Sequence, residues 1–349
     1  MNTNKEPYLI AEIGVNFYDT AHAENITPIE AAKKYIFEAK KSGVSAVKFQ
    51  SYKANTIASK NSPAYWDLSK EATKTQFDLF KKYDSFSEND YYDLSDYSKQ
   101  LNIDFLSTPF DYKSVDYLDQ MCDAYKISSS DLNNLPFINY IAKKGKPIYL
   151  STGASYISEI DEAVRTIRKV SDAYICLMHC VLSYPCEYED ANLSAIKVLK
   201  NIFQDLDVGY SDHTPPDSNM TVLAMAYLYG ANVIEKHFTL DKRLIGNDHY
   251  HSGNQKDFIN SRSNFELIKK LVGNSKKTVL NCEINSRREA RRSLVLARDM
   301  KKDETVKIKD IIAKRPGTGI SPQYIDVVVG RKLKNDLMED TLIYWDDLN

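Results

Sequence analysis

Short apolar runs recur along the chain, each ended by polar residues and separated by stretches of helical periodicity. The runs are YLIAEIG (8–14), AVKFQ (46–50), DFLST (104–108), AYKIS (124–128), PIYLST (147–152), YICLMHC (174–180), DVGYSD (207–212) and NVIEKHF (232–238). A half-exposed strand alternates apolar and polar residues, whereas near-continuous apolar runs belong to strands covered on both faces, as in a parallel sheet between helices. Between the runs lie segments such as PIEAAKKYIFEAKKSG (28–43), which carry a helical period. Eight βα units in series are the number at which a parallel sheet closes on itself. The pattern therefore predicts an α/β fold of the (β/α)8 TIM-barrel type over residues 1–270. Residues 271–285 (LVGNSKKTVLNCEIN) are polar and aperiodic and read as a linker. From 286 to 349 short strands alternate with turns, which predicts a small β-rich domain.

Composition agrees with two units: 349 residues suit one barrel of about 250 residues plus an appendage. Hydrophobic residues make up 43% of the chain, enough for a sizeable core, and Lys+Arg 46 against Asp+Glu 48 leave a formal charge of −2. Nothing in that balance points to nucleic acid or a membrane as partner. The five cysteines form no C-x-x-C pair and lie mostly in apolar runs, so they read as reduced core thiols. The start MNTNKEPYLIAEIG lacks a signal-peptide core, and no later stretch has membrane-spanning length, which leads to the expectation of a cytoplasmic protein.

Barrel chemistry sits at the C-terminal ends of the strands, so the polar residues that end these runs are the informative ones. In order they are Glu12; Lys48 and Gln50; Ser107 and Thr108; Lys126, Ser128 and Ser129; Ser151 and Thr152; His179, with Tyr184 just after; Ser211, Asp212 and His213; and Glu235, Lys236 and His237. Charged residues inside apolar strands need a partner. Two lysines flanked by hydroxyls suit a small polyanion carrying phosphate and carboxylate; the alternative is that both pair with internal carboxylates such as Glu12 and Glu235. His213 and His237 end consecutive strands and can reach one divalent cation through imidazole nitrogen, a Lewis-acid arrangement. His179 and His22 read as structural or supporting residues. In the loop GNDHYHS (246–252), Asp248 suits sugar hydroxyls; His249 and His251 offer a further metal as one reading, but adjacent loop histidines are ordinarily solvated, and the two carry no assignment.

The motifs AEIGVN (11–16), VKFQ (47–50), STPF (107–110), YKISS (125–129), LSTG (150–153), SDHT (211–214), KHFTLD (236–241) and KRPGTG (314–319) together resemble the sialic acid synthase family of bacteria and archaea. That family includes N-acetylneuraminate, legionaminate and pseudaminate synthases and spore-coat polysaccharide relatives, and the tail resembles its antifreeze-like (SAF) domain. The resemblance implies a transferase that condenses phosphoenolpyruvate with an amino-sugar aldehyde. It implies a divalent metal, Mn2+ first and Mg2+ or Co2+ otherwise, held by His213 and His237, with Glu12 near it as a base. Lys48, Thr108, Lys126, Ser129, Ser151 and Ser211 match positions lining the phosphoenolpyruvate site, and Gln50, Asp131, Tyr184 and Asp248 match positions that contact the sugar. Arg315 matches an arginine lent to the active site of the other protomer, which implies a domain-exchanged homodimer. Two stretches depart from the family's pattern. HCVLSYP (179–185) carries Val181 and Leu182 where a polar residue is usual, so a phosphate contact is lost or passes to Ser183. GND replaces GPD in the last loop, which faces the sugar.

Two rivals stand beside this reading. A related synthase using a phosphorylated acceptor would want a further basic cluster at the mouth, for which Lys242 and Arg243 are the obvious candidates. A non-catalytic carbohydrate- or ice-binding protein would have no use for Glu12, His213, His237 and two buried lysines converging at one barrel mouth.

Overall fold

Eight strands form one parallel sheet: β1 (Tyr8–Gly14), β2 (Ala46–Ser51), β3 (Asp104–Pro109), β4 (Tyr125–Ile127), β5 (Ile148–Ser151), β6 (Ile175–His179), β7 (Asp207–Asp212) and β8 (Val233–His237). This is a computed structural model, and it describes residues 6–349 apart from 67, 70 and 247. The strands pair in the order β3-β2-β1-β8-β7-β6-β5-β4. β3 and β4 lie side by side and close the ring, with no ladder between them among the described residues. The expected (β/α)8 barrel is the fold observed, with β4 shorter than its apolar run.

Local chemistry explains the helices that cover the sheet. The helix Pro28–Lys41 starts with proline at its first turn and a reciprocal cap in which Thr27 and Glu30 each bond the other's backbone N–H. It buries Ala31, Ala32, Tyr35, Ile36 and Ala39 against the strands. Each large side chain so buried contributes about 1.5–3 kcal/mol.

Inside the ring a period of two decides function. Ile10, Ala46, Leu106, Ala124, Cys176, Met178 and Val233 form an apolar plug in the barrel. Two residues further along the same strands stand Glu12, Lys48, Thr108, Lys126 and Glu235, because successive side chains point to opposite faces. Gly209 on β7 makes room for the plug: a Cβ there would lie 2.6 Å from the Val233 carbonyl oxygen and against the Met178 sulfur.

The chain divides into two compact units, Met1–Gly273 and Asn274–Asn349. The helix Gln255–Val272 ends the first, so residues 271 and 272 are helical, and residues 281–283 form a 3-10 turn leading into the helix Ile284–Ala290. In the second unit, β9 (Ser293–Leu296) pairs antiparallel with β10 (Ile311–Lys314). Its own core includes Leu294, Leu296, Val306, Ile311, Leu333 and Ile343. Arg298 ties it further, bonding Asp310 and Glu304 at 2.7 Å each. None of the described helices is long and apolar enough to cross a membrane. Of the cysteines, Cys122, Cys176, Cys180 and Cys186 are buried free thiols, but Cys282 is exposed and is not a core residue.

Candidate active site

Strand register brings the charged residues to one level. Glu12 pairs across the sheet with Lys48 on β2 and with His237 on β8, and Ser211 pairs with Glu235. Lys48 Nζ lies 2.5 Å from Glu12 Oε2 and 3.7 Å from Glu235 Oε1, and it donates to Thr108 Oγ1 at 3.0 Å. Lys126 Nζ and Ser211 Oγ both donate to Glu235 Oε1 at 3.0 Å, and Gln50 Nε2 donates to Glu12 Oε1 at 2.9 Å. The two possibilities left open for the lysines therefore coincide in space: each meets an internal carboxylate, and each also faces the cavity. Gly14 sits in the left-handed region (φ 56°), and its missing Cβ lets Gln50 and Glu12 approach within 3.2 Å of that point.

These residues and Ser129, Ser151, Cys180, His213 and His237 line a cavity of about 60 Å³. Burial pushes the Glu12 carboxyl up, against the pull of Lys48. Burial also works against the Glu235 carboxylate, but Lys126 and then Lys48 overcome it and hold its pKa well below the usual range. For Lys48 the neighbouring carboxylates outweigh burial and keep the ammonium charged.

Above this layer lie three imidazoles. The ring of His213 is 5.7 Å from that of His237, which is 4.9 Å from that of His251. His213 Nδ1 is 2.7 Å from the Val181 carbonyl; a carbonyl only accepts, so Nδ1 carries the proton and Nε2 offers a lone pair. His237, Asp248 and His251 each present one ligand atom, all within 4.8 Å of one another. His237 Nδ1 and both ring nitrogens of His251 are buried without a hydrogen-bond partner. Burial keeps the imidazoles neutral, lowering His213 to about 4 and His237 and His251 well below the ordinary value. Neutral imidazoles with unengaged nitrogen beside a carboxylate fit a divalent cation. His249 and His251, expected to be solvated, are both fully buried. The loop folds inward through Asn16, whose amide donates to the Phe238 carbonyl and to Ser252.

A second, wider cavity of about 300 Å³ adjoins the first and shares Gln50, Phe110, Ser128, Leu182, Tyr184 and His237 with it. Its outer wall is largely apolar and aromatic: Tyr52, Ile57, Tyr65, Trp66, Leu79, Phe80 and Tyr83, all from the excursion that follows β2. That excursion is held by Trp66 Nε1 donating to the Glu71 carbonyl at 3.1 Å and by Lys82 paired with Glu71 at 2.8 Å. Asp248 also lines this cavity.

Sequence-predicted residues divide accordingly. Glu12, Lys48, Thr108, Lys126, Ser129, Ser151, Ser211 and His213 meet in the inner cavity, Gln50, Tyr184 and His237 line both, and Asp248 lines the outer one. Asp131 lines neither; it is half-buried in a 3-10 turn, its carboxyl pushed up to about 6 by burial. Arg315 is exposed in the second unit, just after β10. Ser183 turns away, donating to the Pro185 carbonyl, while Leu182 faces the cavities. His179 is tied to the Ala191 carbonyl at 3.1 Å and stacked on Tyr210, a structural role, and His22 is exposed. The β8 residue Lys236 is paired with Asp212 and bonds the Thr214 carbonyl at 2.8 Å, away from the cavities. The residues missed are His251 and the aromatic wall.

A barrel whose strand ends carry two lysine–glutamate pairs beneath a histidine cluster has the layout of a barrel enzyme's active site. The chain belongs to the NeuB family, which it matches over residues 35–277, and residues 291–349 match the SAF domain. The N,N'-diacetyllegionaminic acid synthase of Legionella pneumophila is 36% identical over 349 residues, 98% of this chain and 94% of that one. The enzyme of the same name from Campylobacter jejuni is 37% identical over 344 residues, 97% and 99% of the two chains. Among solved structures, the N-acetylneuraminic acid synthetase of Leptospira borgpetersenii serovar Hardjo-bovis, in complex with citrate, superposes with a TM-score of 0.70 at 31% identity over 81% of this chain and 90% of that one. These relatives are sialic-acid-type synthases, enzymes of the transferase kind.

Proposed function

We propose that this chain condenses phosphoenolpyruvate with an unphosphorylated N-acetylmannosamine-type amino sugar, giving a nonulosonic acid and phosphate. The observation that carries the reading is the pair of buried lysines, Lys48 and Lys126, set among hydroxyls at the base of one cavity and opening towards a second. The lysines, with Thr108, Ser129, Ser151 and Ser211, hold the phosphate and carboxylate by charge-assisted hydrogen bonds. Gln50, Tyr184 and Asp248 orient the sugar in the wider cavity so that its aldehyde carbon meets C3 of phosphoenolpyruvate; Asp131 is assigned to the same role from the resemblance. A divalent cation, Mn2+ first and Mg2+ or Co2+ as alternatives, held by His213 and His237 would polarise the aldehyde oxygen. Bond formation at C3 leaves a cationic centre at C2, to which water adds. Glu12, whose carboxyl is raised by burial, takes the proton of that water, and phosphate leaves with cleavage of the C–O bond. Lys48 and Lys126 stabilise the charge throughout. Arg315 is assigned to the acceptor site of a partner protomer in a domain-exchanged homodimer.

The acceptor cavity argues against a phosphorylated sugar. Apart from the arginine assigned from a partner protomer, no Lys or Arg stands among the described residues lining it. Lys242 is paired with Asp257, and Arg243 with Asp241 at 2.7 Å. Its aromatic wall suits the methyl groups of acetamido substituents. The test is incubation with phosphoenolpyruvate, Mn2+ and a panel of free and phosphorylated amino-hexoses, reading phosphate release and product mass. Release that needs no sugar, or only a phosphorylated one, would overturn the proposal.

A further inference from the structure

We infer that His251 is itself a ligand of the divalent cation, so that the loop after β8 closes the metal centre that β8 opens. The inference rests on the metal-dependent reading above and adds to it a ligand that neither loop position nor resemblance supplies. Two histidines of this loop give an internal comparison. Both are fully buried. His249 has each nitrogen engaged, Nδ1 with Thr239 Oγ1 at 2.8 Å and Nε2 with Asp19 Oδ2 at 3.2 Å. His251 has neither nitrogen engaged. A histidine kept only for packing would bond at least its N–H, as buried polar atoms do. Two unmet nitrogens on one ring, in a loop that fully satisfies the other ring, mark a position whose partner is not a protein atom.

Geometry names the partner. His251 Nε2 lies 3.9 Å from Asp248 Oδ1, and His237 Nδ1 lies 3.6 Å from Asp248 Oδ2. Metal bonds of about 2.1 Å put ligand atoms about 3.0 Å apart when adjacent and about 4.2 Å apart when opposite, so the separations of 3.6 and 3.9 Å and the limit of 4.8 Å close with side-chain adjustments of under about an ångström. The turn that aims these side chains is fixed: Ser252 N donates to the His249 carbonyl at 3.2 Å, Ser252 Oγ to the Asp248 carbonyl at 2.6 Å, and Gly253 N to the His237 carbonyl at 2.8 Å. With His213 from the reading above, three imidazole nitrogens and a carboxylate oxygen still leave positions open on a six-coordinate ion of the Mn2+ type. Because His237 and Asp248 also line the acceptor cavity, the cation links β8 to one wall of that cavity.

The experiment is Mn2+ binding to the metal-stripped full chain, followed by loss of the free-ion EPR signal, for the parent, His251→Ala, His251→Gln, His251→Gly and His237→Ala, with circular dichroism as a folding control. Removing outer-sphere partners of metal ligands costs about 10- to 100-fold in affinity, so losing a direct ligand is expected to raise the Mn2+ dissociation constant by about 100-fold or more in the Ala and Gln variants. Added imidazole is expected to restore affinity to His251→Gly, which a packing role would not produce. Should His251→Ala misfold, the Gln variant, which keeps size and polarity, carries the test. If the folded His251 variants bind Mn2+ like the parent while His237→Ala does not, the inference is overturned and the proposed function stands. If the parent binds no Mn2+, both the inference and the metal-dependent part of that function are overturned.

Discussion

Replacing Glu235 with glutamine removes one of two negative charges from a buried group of four and leaves Lys48 and Lys126 sharing Glu12. Lys126, Glu235 and Lys48 expose only 5%, 5% and 4% of their side chains, so water does little to screen the loss. Removing one partner of a buried ion pair costs about 3–5 kcal/mol. The 273-residue barrel unit unfolds with an entropy of about 0.6 kcal/mol/K, so its melting point should fall by about 5–8 °C. The same change moves the group's net charge from zero to plus one, which favours an anion: at about 4 Å and an effective dielectric constant near 20 a unit charge is worth about 4 kcal/mol. Phosphoenolpyruvate should therefore raise the melting point of Glu235→Gln by more than it raises that of the parent, in differential scanning calorimetry with saturating ligand. A variant melting within about 1 °C of the parent would show that Glu235 does not neutralise the lysines. An equal ligand-induced rise in both proteins would show that the anion does not meet them.

Other outcomes follow from the same geometry. Glu235 has a depressed pKa in the folded protein, so its contribution is complete above the unfolded carboxyl range of about 4.3 and is lost as pH falls towards its folded value. The stability gap between parent and Glu235→Gln should accordingly narrow on acidification below about pH 4.5 in urea titrations, and a gap that widens would contradict the assigned direction. Gly209→Ala drives a Cβ into the Val233 carbonyl and the Met178 sulfur and should cost about 1–3 kcal/mol by denaturant titration. Arg315→Ala should weaken acceptor use far more than phosphoenolpyruvate binding, and equal losses for both would remove it from the acceptor site. Mixed with the inactive Lys48→Met, it should regain about a quarter of parental turnover if the arginine crosses between protomers, since one site in each mixed dimer is then complete; no recovery would mean that each chain supplies its own.

Strand ends were legible because burial makes charge conspicuous. Glu12, Lys48 and Lys126 interrupt runs that are otherwise apolar, and a period of two from Ile10, Ala46 and Ala124 sets them on the inner face. The runs offered Glu12 and Glu235 as partners for the lysines but could not convey which meets which across the ring: Lys126 meets Glu235, 109 positions away. The burial of His251 was illegible for a different reason. A loop residue's burial depends on contacts such as Asn16 with Ser252, which join the two ends of the barrel sequence and leave no local trace. The aromatic wall escaped because Tyr52, Trp66 and Phe80 are spread through an excursion of loops and two helices, Ala54–Ile57 and Gln76–Lys82, too short to show a period that groups them. Tyr65 and Trp66, adjacent aromatics in a loop, were the available signal. Asp131 illustrates the opposite limit: the resemblance matches it to a sugar-contacting position, yet it sits in a 3-10 turn and lines neither cavity.

The two cavities differ in what builds them. Strand ends linked by the sheet's own ladder supply most of the inner one, whereas the segments after β1 and β2 shape much of the outer one. Under the proposed function, a lineage can therefore revise which sugar it accepts by substitutions at Tyr52, Trp66 or Phe80 while the ion-paired floor stays untouched. Heritable diversity in the proposed product then needs no new chemistry, only a re-lined antechamber.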